Sequence, residues 1–97
     1  MHIIARAPLR LFWEKYPNAE TPLRAWHAIV EGQRWKAPAN IKRTFPHASF
    51  VENNRVIFNI GGNKYRLVVK VIYPAGRVYV RFVGTHTEYD RIKASEV

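Results

Sequence analysis

Near Ser49 the spacing of the apolar residues changes from helical intervals to every second position, and this change constrains the fold more than any other feature. Side chains alternate between the two faces of a strand, so a period of two predicts strands with one apolar face. Glycine and proline interrupt the alternation twice and predict turns. The strands are predicted over residues 55–60, 64–73 and 77–83, with a further short one near 49–52, and the turns over 61–63 and 74–76. The second half of the chain is therefore expected to form an antiparallel sheet.

Before Ser49, two apolar stripes with helical spacing predict two helices. The stripes are Leu9, Phe12, Trp13 and Tyr16, and then Leu23, Trp26, His27 and Val30. Pro17 is expected to end the first helix, and Thr21 to cap the second with Pro22 in its first turn. A strand over 1–5, a loop with one helical turn near 40–44 and a last helix over 88–93 complete the expected order. The prediction is one α+β domain over 1–97, with two N-terminal helices packed on one face of an antiparallel sheet and a short C-terminal helix.

The outer face of the predicted sheet is expected to carry positive charge. In the long strand the odd positions, from Tyr65 to Tyr73, are apolar, while Lys64, Arg66 and Lys70 share the other face. The next strand repeats the pattern: Val78, Val80 and Phe82 face one side, and Arg77, Tyr79 and Arg81 face the other. A solvated sheet face normally mixes both signs of charge, and here the cations have no acidic neighbour between them. A site for a polyanion is therefore favoured over an ordinary solvated surface.

The composition indicates which kind of polyanion this face would bind. Sixteen Lys and Arg residues stand against seven Asp and Glu, for a formal net charge of +9 on 97 residues. Residues 41–81 hold eight of the sixteen cations and one of the seven acidic residues. Nucleic acid is the commonest partner of such a domain, because phosphate contacts dominate its non-specific affinity. No helix has the polar, basic pattern of a recognition helix, so a regulatory DNA-binding protein is the least favoured alternative.

Other classes of protein are excluded on composition. The chain has no cysteine, so a disulfide scaffold and a thiolate zinc site are both excluded. Its four histidines show no ligand spacing, and we expect neither a metal site nor a cofactor. No apolar run approaches the roughly 20 residues that span a bilayer, and the N-terminus lacks the pattern of a signal peptide. A cytoplasmic protein without membrane contact is expected.

His86 is the candidate for proton transfer. It follows the last predicted strand, two residues after Gly84, whereas His27 lies in a helical apolar stripe and is expected to be structural. A histidine beside arginines that can bind a phosphate through paired donors would suit cleavage of a phosphodiester.

Two motifs resemble the HigB family of toxins from bacterial type II toxin–antitoxin systems. Residues 59–67 read NIGGNKYRL and residues 80–90 read VRFVGTHTEYD, and both the start MHII and the pair Phe58 and Asn59 are also similar to that family. The resemblance covers nearly the whole chain. It implies a RelE-like fold, in which two N-terminal helices pack on a small curved antiparallel sheet. It also implies an mRNA interferase, an endoribonuclease neutralised by a HigA-type helix-turn-helix antitoxin. It further implies contact with operator DNA only through the antitoxin complex.

The resemblance places RNA-cleaving side chains at Arg66, Arg81 and His86, with Tyr89 as a further candidate. We predict metal-independent attack of the ribose 2′-OH on the adjacent phosphate, in which the two arginines stabilise the transition state and His86 transfers a proton. RNA-binding roles are assigned to Lys64, Lys70, Arg77, Tyr79, Asn63, Lys42 and Arg43. The alternative is a non-catalytic module that binds nucleic acid on the same basic face.

Overall fold

The structure is a computed structural model that describes residues 1–4 and 7–97. Its strands are β1 (His2–Ile4), β2 (Ser49–Val51), β3 (Arg55–Ile60), β4 (Tyr65–Ile72) and β5 (Arg77–Thr85). Its helices are α1 (Ala7–Lys15), α2 (Glu20–Glu31), α3 (Pro38–Thr44) and α4 (His86–Tyr89), with a 3-10 turn at Pro17–Ala19. The predicted opening strand is confirmed over His2–Ile4, while its last residue, Ala5, lies outside the described residues. None of the helices in the described ranges is long and apolar enough to cross a membrane.

The two predicted N-terminal helices are present, but Thr21 does not cap the second. The 3-10 turn runs directly into α2, and the N–H of Glu20 donates to the Pro17 carbonyl. The helix therefore begins at Glu20, one residue before the predicted cap, and Ala19 precedes it without a side-chain hydrogen bond. Proline still ends α1 as predicted, because the chain leaves the helix at Tyr16 just before Pro17.

A third helix, α3, occupies the segment predicted to be a loop with one helical turn. The Asn40 carboxamide oxygen accepts hydrogen bonds from the backbone N–H groups of Lys36 and Ala37, at 2.9 and 3.0 Å. These bonds satisfy donors that have no partner within the helix, so the helix can start at Pro38. Ile41 is fully buried and attaches α3 to the core.

The sheet is mixed rather than antiparallel, which corrects the sequence prediction. Its strand order is β1-β5-β4-β3-β2, and β1 pairs parallel to β5 while the other neighbours are antiparallel. The chain leaves β1 through three helices and returns to its partner only at β5. A connection of that length permits parallel pairing, which a hairpin cannot provide.

One face of the sheet packs against the helices and forms the core. Phe58 of β3 lies at its centre, with ring centroids of Trp26, Trp35 and Phe45 at 5.5, 6.3 and 5.0 Å. The aromatic residues of the predicted helical stripes are thus core residues, as their spacing indicates. The other face, called the outer face below, is left to carry the polar side chains.

A β-bulge in β5 changes which side chains reach the outer face. Val69 pairs with Val80 and Val68 pairs with Phe82, so Arg81 is an extra residue without a direct partner on β4. Beyond the bulge the alternation is reversed: Phe82 lies on the outer face and Val83 faces the core, where it packs against the buried cluster. The predicted placement of Phe82 with Val78 and Val80 is therefore wrong.

Candidate nucleic-acid interface

Three rows of paired residues cross the outer face from β3 to β5. Directly paired residues of antiparallel strands lie on the same face, so the register defines each row. The polar row is Asn59, Arg66 and Gly84; the apolar row is Ile57, Val68 and Phe82; the cationic row is Arg55, Lys70 and Tyr79. Arg81 lies in the bulge between the apolar and cationic rows. The outer face thus presents one cation, Arg66, in the polar row and a separate group, Arg55, Lys70 and Arg81, in and beside the cationic row.

Arg66 is held in place from three sides. Its Nη1 donates to the side-chain oxygens of Asn59 and Asn63, the latter at 2.9 Å. Its guanidinium carbon lies 5.8 Å from the centroid of the Tyr89 ring, a distance at which a cation and a ring attract. Nη1 is engaged in this way, while Nε and Nη2 take no part in these hydrogen bonds. A guanidinium fixed in this way can present paired donors to an oxyanion with little loss of rotamer freedom.

The four-residue loop between β3 and β4 brings Asn63 to Arg66. Gly61 and Gly62 adopt φ values of +63° and +70°, which other residues rarely tolerate. Lys64, predicted to begin the strand, belongs to this loop and is exposed; its backbone N–H donates to the Gly61 carbonyl at 3.4 Å. The two glycines of the motif therefore allow the tight loop that places Asn63 next to Arg66.

The start of α4 positions His86 and Tyr89. The Thr85 hydroxyl accepts from the Glu88 N–H at 3.2 Å, and the Glu88 carboxylate accepts from the Thr85 N–H at 2.8 Å. This capping box starts the helix at His86, two residues earlier than the predicted helix over 88–93. His86 is half-buried, and its ring takes part in none of the hydrogen bonds or ion pairs found within residues 1–4 and 7–97.

Gly84 allows α4 to lie close to the polar row. A Cβ atom at this position would be 2.5 Å from Cζ of Phe82 and 3.1 Å from Oε1 of Glu88. The Phe82 ring in turn lies 6.4 Å from the Tyr89 ring, which stacks against Arg66. Gly84, Phe82, Tyr89 and Arg66 are thus neighbours in one group on the outer face.

Arg81 is directed away from Arg66 and toward the end of the chain. Its Nε donates to the main-chain oxygen of Val97 at 3.1 Å. Arg55, which was not among the predicted site residues, donates to the same oxygen through Nε at 3.2 Å and Nη2 at 2.6 Å. The structure therefore groups Arg81 with Arg55, and groups Arg66 with Tyr89.

The remaining predicted RNA-binding residues are dispersed. Lys70 and Tyr79 are adjacent in the cationic row, and Arg77 lies exposed at the start of β5. Lys42 and Arg43 belong to the last turn of α3, in the layer of helices on the core side of the sheet. The Lys42 ammonium donates to the carbonyls of Pro46 and Ala48, both at 2.8 Å, and so fastens the loop that follows the helix.

No group of three or more His, Asp or Glu residues that could hold a metal ion occurs in the part of the chain that the structure describes.

Burial raises the pKa of the Tyr73 phenol. Tyr73 packs against the core just after β4, at the opposite end of that strand from Arg66.

Comparison with known proteins identifies the family. Residues 19–92 match the HigB toxin family, described as the RelE-like toxic component of a toxin-antitoxin system. The mRNA interferase toxin HigB of Escherichia coli strain K12 is 35% identical over 92 residues, which cover 93% of this chain and 88% of the relative. The mRNA interferase HigB of Shigella flexneri matches to the same extent, and that of Escherichia coli O6:H1 is 28% identical over 94 residues, covering 95% of this chain and 91% of the relative. The family suggested by the two motifs is confirmed, and this chain belongs to the HigB toxins.

Proposed function

We propose that this chain is an mRNA interferase, an endoribonuclease toxin that arrests translation by cleaving mRNA. Its family and its relatives' names support this activity. The observation that carries the proposal is Arg66, whose guanidinium is bonded to Asn59 and Asn63 and lies 5.8 Å from the centroid of the Tyr89 ring. Donors that are oriented before the reaction stabilise developing charge without reorganisation at the moment of reaction.

The proposed reaction is an internal transesterification that requires no metal ion. The ribose 2′-hydroxyl gives its proton to solvent water as its oxygen attacks the adjacent phosphorus, and the bond from phosphorus to the 5′-oxygen breaks. The products are a 2′,3′-cyclic phosphate and a 5′-hydroxyl end. Arg66 binds the non-bridging oxygens, whose negative charge grows in the transition state.

His86 is the proposed general acid that protonates the departing 5′-oxygen. It begins α4, three residues before Tyr89, and residues three apart are neighbours on a helix surface. The Tyr89 ring lies against Arg66, and this spacing is why His86 is proposed for the same site. Tyr89 is the second candidate for this proton transfer, since its hydroxyl belongs to the ring that stacks on the guanidinium. A histidine that donates no hydrogen bond to the protein keeps its ring nitrogens available for the substrate.

The proposed partners follow from membership of a toxin–antitoxin family. An antitoxin must restrain the toxin, and we assign this role to a HigA-type helix-turn-helix protein that alone carries the DNA-binding surface. We place the activity in the cytoplasm, where mRNA is translated. Expression of the chain alone should arrest bacterial growth, and co-expression of the antitoxin encoded beside it should restore growth.

The experiment that tests the proposal maps the ends of mRNA after induction of the wild-type chain and of two variants. Arg66→Lys keeps the charge but loses the planar fork, and we expect cleavage to fall by about 10²-fold or more, as when one donor to an oxyanion is removed. Lys15→Gln, which removes one charge from α1, should cleave like the wild type. The purified protein should also generate 5′-hydroxyl ends on synthetic RNA in EDTA.

Normal growth at confirmed soluble expression, with intact mRNA, would refute the endoribonuclease and favour the non-catalytic module. Binding of RNA without new ends would lead to the same conclusion. If EDTA abolished cleavage by the purified protein and Mg²⁺ restored it, the metal-independent mechanism would be wrong.

A further inference from the structure

The turn between α3 and β2 lies beside the polar row and has no role in the mechanism above. We propose that the pocket between this turn and the end of β3, called the edge pocket below, binds one RNA base next to the cleaved phosphate, and that His47 stacks on this base. The inference rests on the proposed RNA substrate and adds a base-binding site to the phosphate site of Arg66. It assigns a function to His47, which is not among the predicted site residues.

The edge pocket is a cavity of about 250 Å³ with apolar walls and a few polar groups. Phe45, Pro46 and Phe58 supply apolar surface, and the Phe45 and Phe58 rings contact each other at a centroid distance of 5.0 Å. His47 and Asn59 supply polar atoms. Such a lining is typical of ligand sites, and the volume lies below the range of about 300–1,000 Å³ that accommodates a drug-sized molecule. The pocket is therefore suited to a single heterocyclic base.

The end of β3 beside the pocket has no strand partner on that side. β2 pairs with β3 only as far as Ser49 opposite Ile57. Continued by two residues, the same register would place His47 opposite Asn59, but residues 45–48 form a turn instead. No hydrogen bond between this turn and the Asn59 main chain is found within residues 1–4 and 7–97. The edge of the sheet is thus open at Asn59.

The N–H and C=O groups of Asn59 are directed to this open edge. Along a strand these groups point alternately to the two neighbouring strands. The Asn54 carbonyl accepts from the Val71 N–H at 3.0 Å on the β4 side, so Phe58 and Ile60, at even distances from Asn54, also direct theirs to β4. Asn59 lies between them and directs its groups the other way. A donor and an acceptor therefore lie side by side at the pocket.

This pair of groups matches the edge of a base. The Watson–Crick edge of a base carries a donor and an acceptor side by side, and a peptide N–H and C=O can bond to both. A protein strand adds to an edge through several residues, whereas only Asn59 directs its peptide groups outward here, because β3 ends at Ile60. The open edge therefore favours a base over the strand of a protein partner.

The turn that carries His47 is fixed by the protein itself. The Ala48 N–H donates to the Phe45 carbonyl at 3.0 Å and closes the turn, with Pro46 at its second position. The Lys42 ammonium donates to the carbonyls on both sides of His47, those of Pro46 and Ala48, at 2.8 Å. His47 is exposed, and an aromatic ring on a fixed turn can stack on a base with little loss of conformational entropy.

Asn59 joins the edge pocket to the phosphate site. Its side-chain oxygen accepts from Arg66 on the outer face, while its main chain faces the pocket. Arg66 lies on β4 and the pocket lies beyond β3, so at most about two strand spacings, roughly 10 Å, separate them. A phosphate, its ribose and the attached base together span this distance. The base in the pocket therefore belongs to a nucleotide that flanks the cleaved bond.

The first test measures binding of a fully 2′-O-methylated RNA oligonucleotide, which lacks the attacking hydroxyl, as a function of salt. His47→Ala should weaken binding by about 5- to 150-fold, the effect of losing one stacked base, and should keep the salt slope because no phosphate contact is lost. His47→Phe keeps a flat ring without a charge and should bind within about threefold of the wild type. His2→Ala removes an exposed histidine from β1 at the opposite edge of the sheet, and this matched control should change neither quantity.

The second test identifies the base. The oligonucleotide is remade with each base in turn replaced by hydrogen, and one position should weaken binding by the wild type about as much as His47→Ala does. Combining that oligonucleotide with His47→Ala should cost little more than either change alone, because both remove the same contact. The Asn59 amide resonance should move when the complete oligonucleotide binds, and it should return toward its free position when this one base is missing.

The proposal is overturned if His47→Ala, shown to be folded by its melting temperature, binds like the wild type, or if no single base is coupled to His47. Equal weakening by His47→Phe with a reduced salt slope would show a phosphate contact instead of stacking, and the proposal would be wrong. It would also be wrong if His47→Ala bound RNA normally but escaped neutralisation by the antitoxin, since the open edge would then belong to that protein.

Two measurements keep the test independent of folding and of catalysis. The abasic series and the Asn59 resonance require no variant, so they decide the question if His47→Ala does not fold. Because the oligonucleotide cannot be cleaved, failure of the proposed enzyme activity leaves all of these measurements unaffected. Cleavage by the wild type together with a silent His47→Ala would refute the edge pocket alone.

Discussion

The most informative single substitution is His86→Gln, because the structure separates the proposed catalytic role of this residue from a structural one. A structural role would require the imidazole to hold the start of α4. The helix start is held instead by the reciprocal hydrogen bonds of Thr85 and Glu88 at 3.2 and 2.8 Å. His86→Gln should therefore leave the free energy of unfolding within about 0.5 kcal/mol of the wild type, as for other substitutions without a structural contact.

The cleavage rate should respond quite differently. Proton transfer by a positioned side chain contributes about 10²–10⁴-fold, or about 2.7–5.5 kcal/mol of activation free energy. Glutamine keeps hydrogen-bonding capacity near the same position but cannot donate a proton to the 5′-oxygen and recover it. We expect the first-order cleavage rate to fall by this factor, with unchanged affinity for 2′-O-methylated RNA.

Thr85→Ala is the matched control, since it removes the cap and keeps His86. Loss of an N-cap side chain costs about 1 kcal/mol, which lowers the melting temperature of a domain of this size by about 4–8 °C. Both variants are compared by thermal unfolding and by single-turnover cleavage of one labelled mRNA, free and in a cell-free translation reaction. If His86→Gln cleaves within about threefold of the wild type, general acid catalysis by His86 is wrong, and Tyr89 becomes the remaining candidate.

Three further substitutions test other contacts of the structure. Gly84→Ala should destabilise the protein by about 1–3 kcal/mol in thermal unfolding and reduce cleavage, because the new methyl group would displace the Phe82 ring; a variant of normal stability and rate would contradict this packing. Asn59→Asp should preserve the fold but abolish cleavage measured at matched protein concentration, because a carboxylate would compete with the substrate phosphate for Arg66; retained cleavage would show that this guanidinium does not bind the phosphate. Lys42→Met should lower the free energy of unfolding in urea by about 0.5–1.5 kcal/mol, since two carbonyl acceptors lose their donor, whereas unchanged stability with weakened RNA binding would support the predicted RNA-binding role of Lys42.

The parts of the fold that were predicted correctly depend on local patterns. The stripe of Leu9, Phe12 and Trp13 follows directly from helical periodicity, and all three side chains are buried in α1. The turn at Gly61 and Gly62 follows from their positive φ, which the sequence signals through the residue type itself. Parallel pairing of β1 with β5 joins residues about 75 positions apart, as in His2 with Arg77, and no local pattern specifies such a contact.

The site was predicted less completely, because its residues are grouped by the register of the strands. Periodicity placed Arg66 and Arg81 on the same face, and the structure agrees. It does not reveal that Arg66 shares a row with Asn59, or that Arg81 shares its acceptor with Arg55. Arg55 opens the β3 strand, and its burial depends on the distant segment that contacts it, so its residue type alone suggested an ordinary surface cation.

The sequence contains a signal for the β-bulge in β5, and the bulge changes which side chains lie at the candidate site. Phe82 and Val83 are consecutive apolar residues in a strand that otherwise alternates, so one of them must break the pattern. The break lies at Arg81, and the extra residue turns Phe82 outward onto the face that carries Arg66. Without the bulge, Phe82 would face the core, and the ring against which Tyr89 packs would be missing from the outer face. The bulge that interrupts the alternation therefore places Phe82 beside Tyr89, whose ring contacts the Arg66 guanidinium. It also sets Arg81 apart from Arg66.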